Sequence, residues 1–211
     1  MPGDHMKKKR DAVKAALTGH RPLVTDGYWE CHAYFDDCRE KLKDQFRPAY
    51  MPEEEVRRTL EEIRNCESVA VHIRKGDFRE FGRLIRDSYY SLGINRMRAQ
   101  LDSPVFYILS EDEGVREKYR NIPDCRILDF HTKHKYLDEW YALVQCRHHI
   151  IANSTYSWWA AWLSESEGKR VLIPDLNVYL AAEPGNDEEM YRNYYGFSGC
   201  SQIPDAAEGG V

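Results

Sequence analysis

Val69-Ala-Val-His-Ile-Arg-Lys-Gly-Asp77 is a β-branched, apolar run that stops abruptly on charged residues. This pattern is typical of a buried strand that delivers polar side chains to its carboxyl end, where open α/β sheets bind their ligands. His72 and Arg74 are two residues apart, so a strand places them on one face, and Gly76 lets the backbone approach a bound group. An arginine fork beside a carboxylate suits a phosphate-bearing ligand. The alternative is a strand end followed by a solvated, charged turn.

The composition is that of a globular chain. Hydrophobic residues make up 42% of the 211 residues, which is enough for a core. The 30 basic and 35 acidic residues are interspersed and leave a net charge of -5, which argues against a nucleic-acid partner. No apolar run has membrane-spanning length and no signal peptide is visible, so we expect a cytoplasmic protein. The six cysteines form no CxxC pair, which favours reduced thiols over disulfides or zinc ligands.

From Val69 onward, short apolar runs alternate with amphipathic stretches, as in the βα units of a parallel sheet. We therefore predict an α/β fold with a Rossmann-like, doubly wound, mostly parallel five-stranded sheet. The candidate strands cover 69–73, 105–109, 126–128, 149–152 and 171–173. Helices are predicted from about 87 to 101, after 112, over 137–146 and after 155, where Trp158, Trp159 and Trp162 are expected to pack in the core.

The N-terminal third has a helical pattern instead. A short helix is predicted over 11–17 and a turn over 26–29. A helix opening at Pro52 carries Val56, Leu60 and Ile63 on one face. The C-terminal residues 183–211 predict a helix over 187–195 and then a flexible tail. A further helix is predicted to bury four residues at helical spacing: Tyr34, Cys38, Leu42 and Phe46.

Polar residues follow three of the predicted strands. Because the carboxyl ends of parallel strands share one sheet edge, we expect these residues to converge there. They are Arg74, Lys75, Gly76 and Asp77 after the first strand, Ser110, Glu111 and Asp112 after the second, and Asn153, Ser154, Thr155 and Ser157 after the fourth.

These residue types sketch a pocket for a nucleoside diphosphate. Hydroxyls at a helix start, opposite Arg74, suit phosphates. Glu111 and Asp112 are suited to accept hydrogen bonds from a base such as guanine or from ribose hydroxyls. For Ser154 and Thr155 the alternative is ordinary helix capping. There is no metal-ligand spacing, GxGxxG motif or P-loop, which argues against dinucleotide dehydrogenases and kinases. His148 and His149 adjoin a strand start, opposite this pocket, so we interpret them as structural.

Three stretches resemble the successive motifs of α-1,2-fucosyltransferases, which form glycosyltransferase family eleven. Residues 71–78 read Val-His-Ile-Arg-Lys-Gly-Asp-Phe, and residues 106–112 read Phe-Tyr-Ile-Leu-Ser-Glu-Asp. The third and most specific stretch begins at Asp138 and continues over 146–163 as Cys-Arg-His-His-Ile-Ile-Ala-Asn-Ser-Thr-Tyr-Ser-Trp-Trp-Ala-Ala-Trp-Leu. The order of the motifs also matches, and the resemblance covers about residues 24–180.

This resemblance implies the C-terminal half of a GT-B architecture that binds GDP-fucose and transfers fucose, with inversion, to a galactose-containing acceptor glycan. It implies no cofactor and no metal. His72, Arg74 and Asp77 fall on the donor-binding motif. We expect Arg74 to contact the diphosphate and stabilise it as it departs, and Asp77 to orient Arg74 or His72. The general base stays unassigned, with Asp77 and Glu80 as the nearest candidates.

The sequence also departs from the family pattern. Residues 1–23 lack the family's Gly-rich opening segment, so we expect residues 1–66 to be a helical remnant of the acceptor side and residues 67–182 to be the donor domain. Lys75 stands where a second Arg is common, and Glu111 where Asp is common. The alternative function is a truncated, non-catalytic GDP-sugar-binding or interaction module. In that case exposed Tyr34, Phe46 and Leu60 would favour a homo-oligomer.

Overall fold

A six-stranded, fully parallel sheet is the centre of this fold. The computed structural model describes residues 11–12, 31–182, 185 and 187–203. Strand order is β3-β2-β1-β4-β5-β6, so the direction of winding reverses between β1 and β4. This is the doubly wound order in which ligands bind outside the carboxyl ends of the strands. The strands are β1 (Ser68–His72), β2 (Val105–Leu109), β3 (Cys125–Ile127), β4 (His148–Ile150), β5 (Val171–Pro174) and β6 (Cys200–Ile203).

Helices follow or connect the strands, which confirms the predicted α/β class. Between residues 31 and 67, the helices α1 (Arg39–Gln45) and α2 (Glu54–Asn65) precede the sheet. The others are α3 (Gly76–Glu80), α4 (Asp87–Gln100), α5 (Glu113–Arg120), α6 (Lys135–Gln145), α7 (Thr155–Leu163), α8 (Leu176–Ala182) and α9 (Glu188–Tyr195).

Helices cover both faces of the sheet. One apolar cluster joins the sheet to α2, α6, α7 and α9, and it contains the predicted Val56, Leu60 and Ile63 together with Trp158 and Trp162. A second cluster joins the opposite face to α4 and α5. The buried, β-branched strand residues therefore contact helices on both sides, as a parallel sheet requires.

The sheet has six strands rather than the five predicted. β6 pairs in parallel with β5 over Val171–Pro174, and it lies in the region predicted as a flexible tail. Its sequence, Cys-Ser-Gln-Ile, has little apolar character, so its place in the sheet depends on backbone pairing and on Ile203. Gly93 of α4 makes room for that side chain, because a Cβ at Gly93 would lie only 3.0 Å from Ile203 Cδ1.

The N-terminal helix differs from its prediction. Two short 3-10 turns, His32–Tyr34 and Asp36–Cys38, come before α1, so the predicted continuous helix is interrupted. Tyr34, Cys38 and Leu42 are only partly buried and Phe46 is 42% exposed, so these residues are not core. Leu60, expected on an exposed apolar surface in the interaction-module alternative, is instead buried.

A tertiary contact explains the interruption before α1. Arg39 donates hydrogen bonds to the last two carbonyls of α7, at 2.9 Å from Trp162 O and 3.1 Å from Leu163 O, and to the carbonyl of the C-cap Ser164 at 3.2 Å. A cation at a helix C-terminus satisfies carbonyls that lack an intrahelical partner. The start of α1 is thus fixed by α7, which the spacing of apolar residues could not reveal.

All six cysteines are free thiols. Within the described residues, none of the helices combines the length and apolarity that a bilayer crossing demands. The predicted helix over 11–17 falls mostly outside the described residues. The predicted turn over 26–29 and the end of the tail after residue 203 fall wholly outside them.

Candidate functional site

A cavity of about 280 Å³ opens where β1 and β2 end. It combines residues from the strand ends with residues from three helices, α5, α6 and α7. Its position beside the carboxyl ends of the strands is the place where doubly wound sheets bind ligands. The lining residues are His72, Arg74, Leu109, Ser110, Glu111, Arg116, Lys135, Tyr136, Glu139 and Tyr156.

Arg74 is held in a fixed orientation at the end of β1. Its Nη2 lies 2.9 Å from Asp77 Oδ1, its Nη1 lies 3.5 Å from Glu111 Oε1, and its guanidinium carbon lies 5.3 Å from the centre of the Phe78 ring. The buried Nε has no hydrogen-bond partner among the described residues. Two carboxylates therefore orient the fork, while its position in the cavity leaves it accessible to an anion.

Gly76 allows this close arrangement. A Cβ on Gly76 would lie 2.6 Å from Glu111 Oε1, which is closer than real Cβ contacts allow. The absence of a side chain lets the loop after β1 approach Glu111, so that Arg74 and Glu111 can pair across the strand ends.

His72 lines the cavity, is buried and is neutral. Burial, helped by the nearby charge of Arg74, lowers its pKa from 6.5 to about 3. Its Nδ1 has no hydrogen-bond partner among the described residues, and its ring centre lies 5.4 Å from that of Tyr156. A buried polar atom without a partner carries a free-energy cost unless a ligand or water satisfies it.

Two further cations line the cavity, and the sequence analysis did not identify them. Arg116 Nη1 lies 3.8 Å from Asp129 Oδ1. Lys135 Nζ is hydrogen-bonded to Asp129 and lies 3.6 Å from Glu139 Oε1. The hydrogen bond to Asp129 raises the pKa of Lys135, so this side chain is protonated at neutral pH. With Arg74, the cavity thus has three positive side chains.

Glu139 is the most buried carboxylate of the cavity, with only 4% of the residue exposed. Its Oε1 accepts a hydrogen bond from the Phe130 N–H at 3.3 Å and is the oxygen nearest to Lys135. Burial raises the pKa of Glu139, an effect that the charge of Lys135 opposes. Because both contacts use Oε1, the other carboxylate oxygen can accept hydrogen bonds from a ligand.

Of the residues predicted after β2, Ser110 and Glu111 line the cavity. Ser110 Oγ accepts a hydrogen bond from the Asp112 N–H at 3.2 Å. Asp112 is the N-cap of α5: its Oδ1 accepts from the Val115 N–H at 3.0 Å, and its Oδ2 lies 3.2 Å from Arg79 Nη2. The side chain of Asp112 is therefore occupied by contacts within the protein.

Lys75 also has a partner within the protein. Its Nζ lies 2.7 Å from Asp87 Oδ1 at the start of α4, so it ties the loop after β1 to that helix. In the described structure the Lys75 ammonium pairs with Asp87 and does not line the cavity.

The start of α7 reaches the cavity through Tyr156. Ser154 is the N-cap but makes no side-chain capping hydrogen bond, and Ser157 Oγ donates to Ser154 O at 3.2 Å. Thr155 is exposed, and Asn153 Nδ2 donates to the Arg83 carbonyl, in the loop between α3 and α4, at 3.1 Å. A phosphate-binding role for these four residues stays a prediction.

For the lining residues from α6, one feature of the sequence could have predicted a place in the cavity. Glu139 and Leu143 are four apart, so a helix places this glutamate on the same face as a core leucine. A carboxylate at a core-facing position is unusual unless it is paired or functional. Arg116 and Lys135 gave no comparable signal, because charged residues near helix ends are common on surfaces.

The chain matches one protein family over most of its length. The profile described as "Glycosyl transferase family 11" matches residues 4–195, a wider range than the motifs alone cover. The chain is 28% identical to an Escherichia coli alpha-1,2-colitosyltransferase over 80% of this chain and 58% of that protein. It is 25% identical to galactoside alpha-(1,2)-fucosyltransferase 1 of Saimiri boliviensis boliviensis, over 81% of this chain and 48% of that protein. The chain thus spans about half the length of these curated relatives.

Solved structures with some likeness include fucosyltransferase NodZ. The Se-Met structure from Bradyrhizobium has a TM-score of 0.40 and 13% identity, and covers 77% of this chain and 65% of that chain. A NodZ alpha-1,6-fucosyltransferase soaked with GDP-fucose has a TM-score of 0.41 and 13% identity, over 76% of this chain and 67% of that chain.

Proposed function

The chain belongs to glycosyltransferase family 11, and from that premise we propose that it transfers fucose from GDP-fucose to a galactose-containing acceptor glycan with inversion. The names of its relatives, an alpha-1,2-colitosyltransferase and a galactoside alpha-(1,2)-fucosyltransferase, support a deoxysugar donor and a galactoside acceptor. The observation that carries the proposal is the cavity at the ends of β1 and β2, where three cations and a buried carboxylate face one small volume.

Arg74, Arg116 and Lys135 are proposed to bind the diphosphate. A nucleoside diphosphate carries negative charge on both phosphates, and planar arginine forks bind phosphate oxygens in a bidentate way. Each of the three cations is already oriented by a carboxylate: Asp77 for Arg74, Glu113 for Arg116 and Asp129 for Lys135. Charge stabilisation by these three side chains supports a reaction that needs no metal.

Glu139 is proposed to recognise guanine. Guanine presents two adjacent donors, N1–H and the N2 amino group, which match two carboxylate oxygens, whereas adenine offers an acceptor at N1. The sequence favoured Glu111 and Asp112 for this role. However, Glu111 pairs with Arg74 and Asp112 caps α5, whereas Glu139 is the most buried carboxylate of the cavity and makes both of its contacts through Oε1.

For the transfer step, Arg74 is proposed to stabilise the charge that develops on the departing diphosphate. Asp77 would act through Arg74, since it holds the guanidinium at 2.9 Å. The acceptor hydroxyl also needs a proton acceptor. Asp77 and Glu80 remain the candidates, and both lie on α3, the short helix that follows β1.

Titration with GDP and ADP tests donor recognition. We expect GDP to bind more tightly than ADP. Arg74→Ala should weaken GDP binding by about 2 kcal/mol, the scale of a lost charge-assisted contact. The matched control is Arg58→Ala, on an exposed arginine of α2 that pairs with Glu54, and it should bind GDP like the wild type. Equal or absent binding of both nucleotides would refute the proposal.

We also propose a cytoplasmic location, because six free thiols suit a reducing compartment. A homo-oligomer remains a further proposal. Light scattering on the purified chain tests it, and a clean monomer would count against it.

A further inference from the structure

Tyr136 exposes its ring at the mouth of the donor cavity. The residue is 76% exposed, more than any other large aromatic side chain among the described residues, yet it is one of the cavity-lining residues. Its neighbour Leu137 is also exposed, so the first turn of α6 presents apolar surface to solvent beside a charged cavity. Large apolar side chains exposed together at a cavity usually mark a place where a ligand packs.

The backbone of Tyr136 makes a structural hydrogen bond, whereas its ring is exposed to solvent. The Tyr136 carbonyl accepts a hydrogen bond from Tyr156 Oη at 2.6 Å, which ties the start of α6 to α7. The position of residue 136 is therefore fixed by the chain itself, while the ring projects into solvent. Removing the ring should leave this hydrogen bond and the folded structure intact.

An acceptor that comes from solvent reaches the exposed side of the cavity first. Among the lining residues, His72 and Leu109 at the strand ends are 4% and 7% exposed, whereas Tyr136 is 76% exposed, so Tyr136 lies on the solvent side of the cavity. In an inverting displacement the acceptor hydroxyl attacks from the side opposite the leaving group. An acceptor sugar that approaches from the solvent side therefore comes next to Tyr136.

We propose that the Tyr136 ring is the platform on which a pyranose ring of the acceptor glycan stacks. This inference rests on the proposed function, because it assigns the acceptor side of the same site. One face of a galactose ring presents several C–H groups, and these pack on the negatively polarised face of an aromatic ring. A tyrosine fixed by its backbone supplies that face at little entropic cost.

The test is steady-state transfer from GDP-fucose to lactose by the wild type, Tyr136→Ala, Tyr136→Phe and Tyr136→Trp. For Tyr136→Ala we expect the KM for lactose to rise about tenfold, with kcat within about twofold, as for loss of one stacking contact. The KM for GDP-fucose should be unchanged. The Phe and Trp variants keep the stacking face and should retain the wild-type KM for lactose. Met190→Ala, at an exposed apolar residue of α9, is the control for a general surface effect.

Two kinetic results would overturn the platform. The first is an unchanged KM for lactose in Tyr136→Ala. The second is that Tyr136→Ala loses as much affinity for GDP as it loses for lactose, which would place the ring against the guanine base instead.

Saturation-transfer NMR of lactose on GDP-saturated protein separates this inference from the proposed function. A lactose signal in the wild type that Tyr136→Ala weakens supports the platform even without turnover. If the wild type binds GDP and hydrolyses GDP-fucose but gives no lactose signal, the platform fails while the donor assignment stands. If GDP itself does not bind, the proposed function and the platform fail together.

Discussion

Arg74 Nη2 lies 2.9 Å from Asp77 Oδ1, across one turn of chain at the carboxyl end of β1. The same guanidinium reaches Glu111 at the end of β2, so one arginine joins the ends of two neighbouring strands. Because Arg74 also lines the cavity, the geometry of the cavity depends on this pair. The candidate donor site is thus organised around a side chain whose orientation the protein sets before any ligand binds.

Asp77→Asn should slow transfer by loosening Arg74. The amide keeps the size of the carboxylate but loses its charge, so the guanidinium is held less firmly. Single-turnover transfer from GDP-fucose should fall by roughly 100-fold, the cost of a misplaced catalytic group. Glu80→Gln changes a carboxylate on the same helix that does not line the cavity, and it is the matched comparison. A larger loss in Glu80→Gln than in Asp77→Asn would instead identify Glu80 as the proton acceptor.

Glu139→Gln should reduce the preference for guanine. The amide can accept only through its one oxygen, and its NH₂ opposes a guanine donor, so we expect GDP to bind about 1 to 3 kcal/mol more weakly. ADP affinity should change little. Calorimetric titration of both nucleotides measures the effect, with Glu111→Gln as the comparison. If Glu111→Gln alone removes the preference, the base is recognised at the end of β2, as the sequence indicated.

The free energy of unfolding should decrease as the pH is lowered, because of His72. Its pKa is 6.5 in the unfolded chain and about 3 in the folded protein. Between these values the unfolded state binds a proton that the folded state does not, so acid favours unfolding. From pH 7 to pH 5 this side chain should remove about 2 kcal/mol of the free energy of unfolding. Urea unfolding of the wild type and His72→Leu at both pH values measures it, and an equal pH dependence in the two proteins would contradict the assignment.

His148→Ala should destabilise the fold without affecting the donor site. His148 Nε2 lies 2.6 Å from Glu67 Oε1, and its Nδ1 accepts the Arg170 N–H at 3.0 Å. Losing both contacts at a buried position should cost about 2 to 4 kcal/mol of unfolding free energy. His131→Ala, at an exposed position, should cost little. Loss of GDP affinity in folded His148→Ala would show that the residue is not merely structural.

The strands were predictable where side chains alone determine them. The apolar runs that form β1, β2 and β5 are buried on both faces. A continuous apolar run is the pattern expected of such a strand, so the sequence alone predicts it. β6 was not predictable in this way, because it is held by backbone pairing with β5 and by the space that Gly93 leaves for Ile203. That space depends on the packing of α4, which is remote in the sequence.

The cavity residues also divide into some that the sequence predicted and others that it did not. Arg74 and Glu111 directly follow strands. The rule that parallel strand ends share one sheet edge therefore predicted that they lie close together. Arg116, Lys135 and Glu139 reach the cavity from helices, and their distance from the edge depends on how α5 and α6 pack on the sheet. Sequence spacing contains no measure of that packing, except where a charged residue such as Glu139 falls on a core-facing position.

We propose above all that this chain uses GDP-fucose as a glycosyl donor. The most direct measurement is release of GDP from GDP-fucose by the purified chain, with and without lactose, together with mass spectrometry of the sugar product. We predict slow GDP release without lactose and faster release with it, accompanied by fucosylated lactose. If the chain binds GDP but neither hydrolyses GDP-fucose nor transfers fucose to lactose or any other fucosyl acceptor, it is a nucleotide-sugar-binding module and the claim of catalysis is wrong.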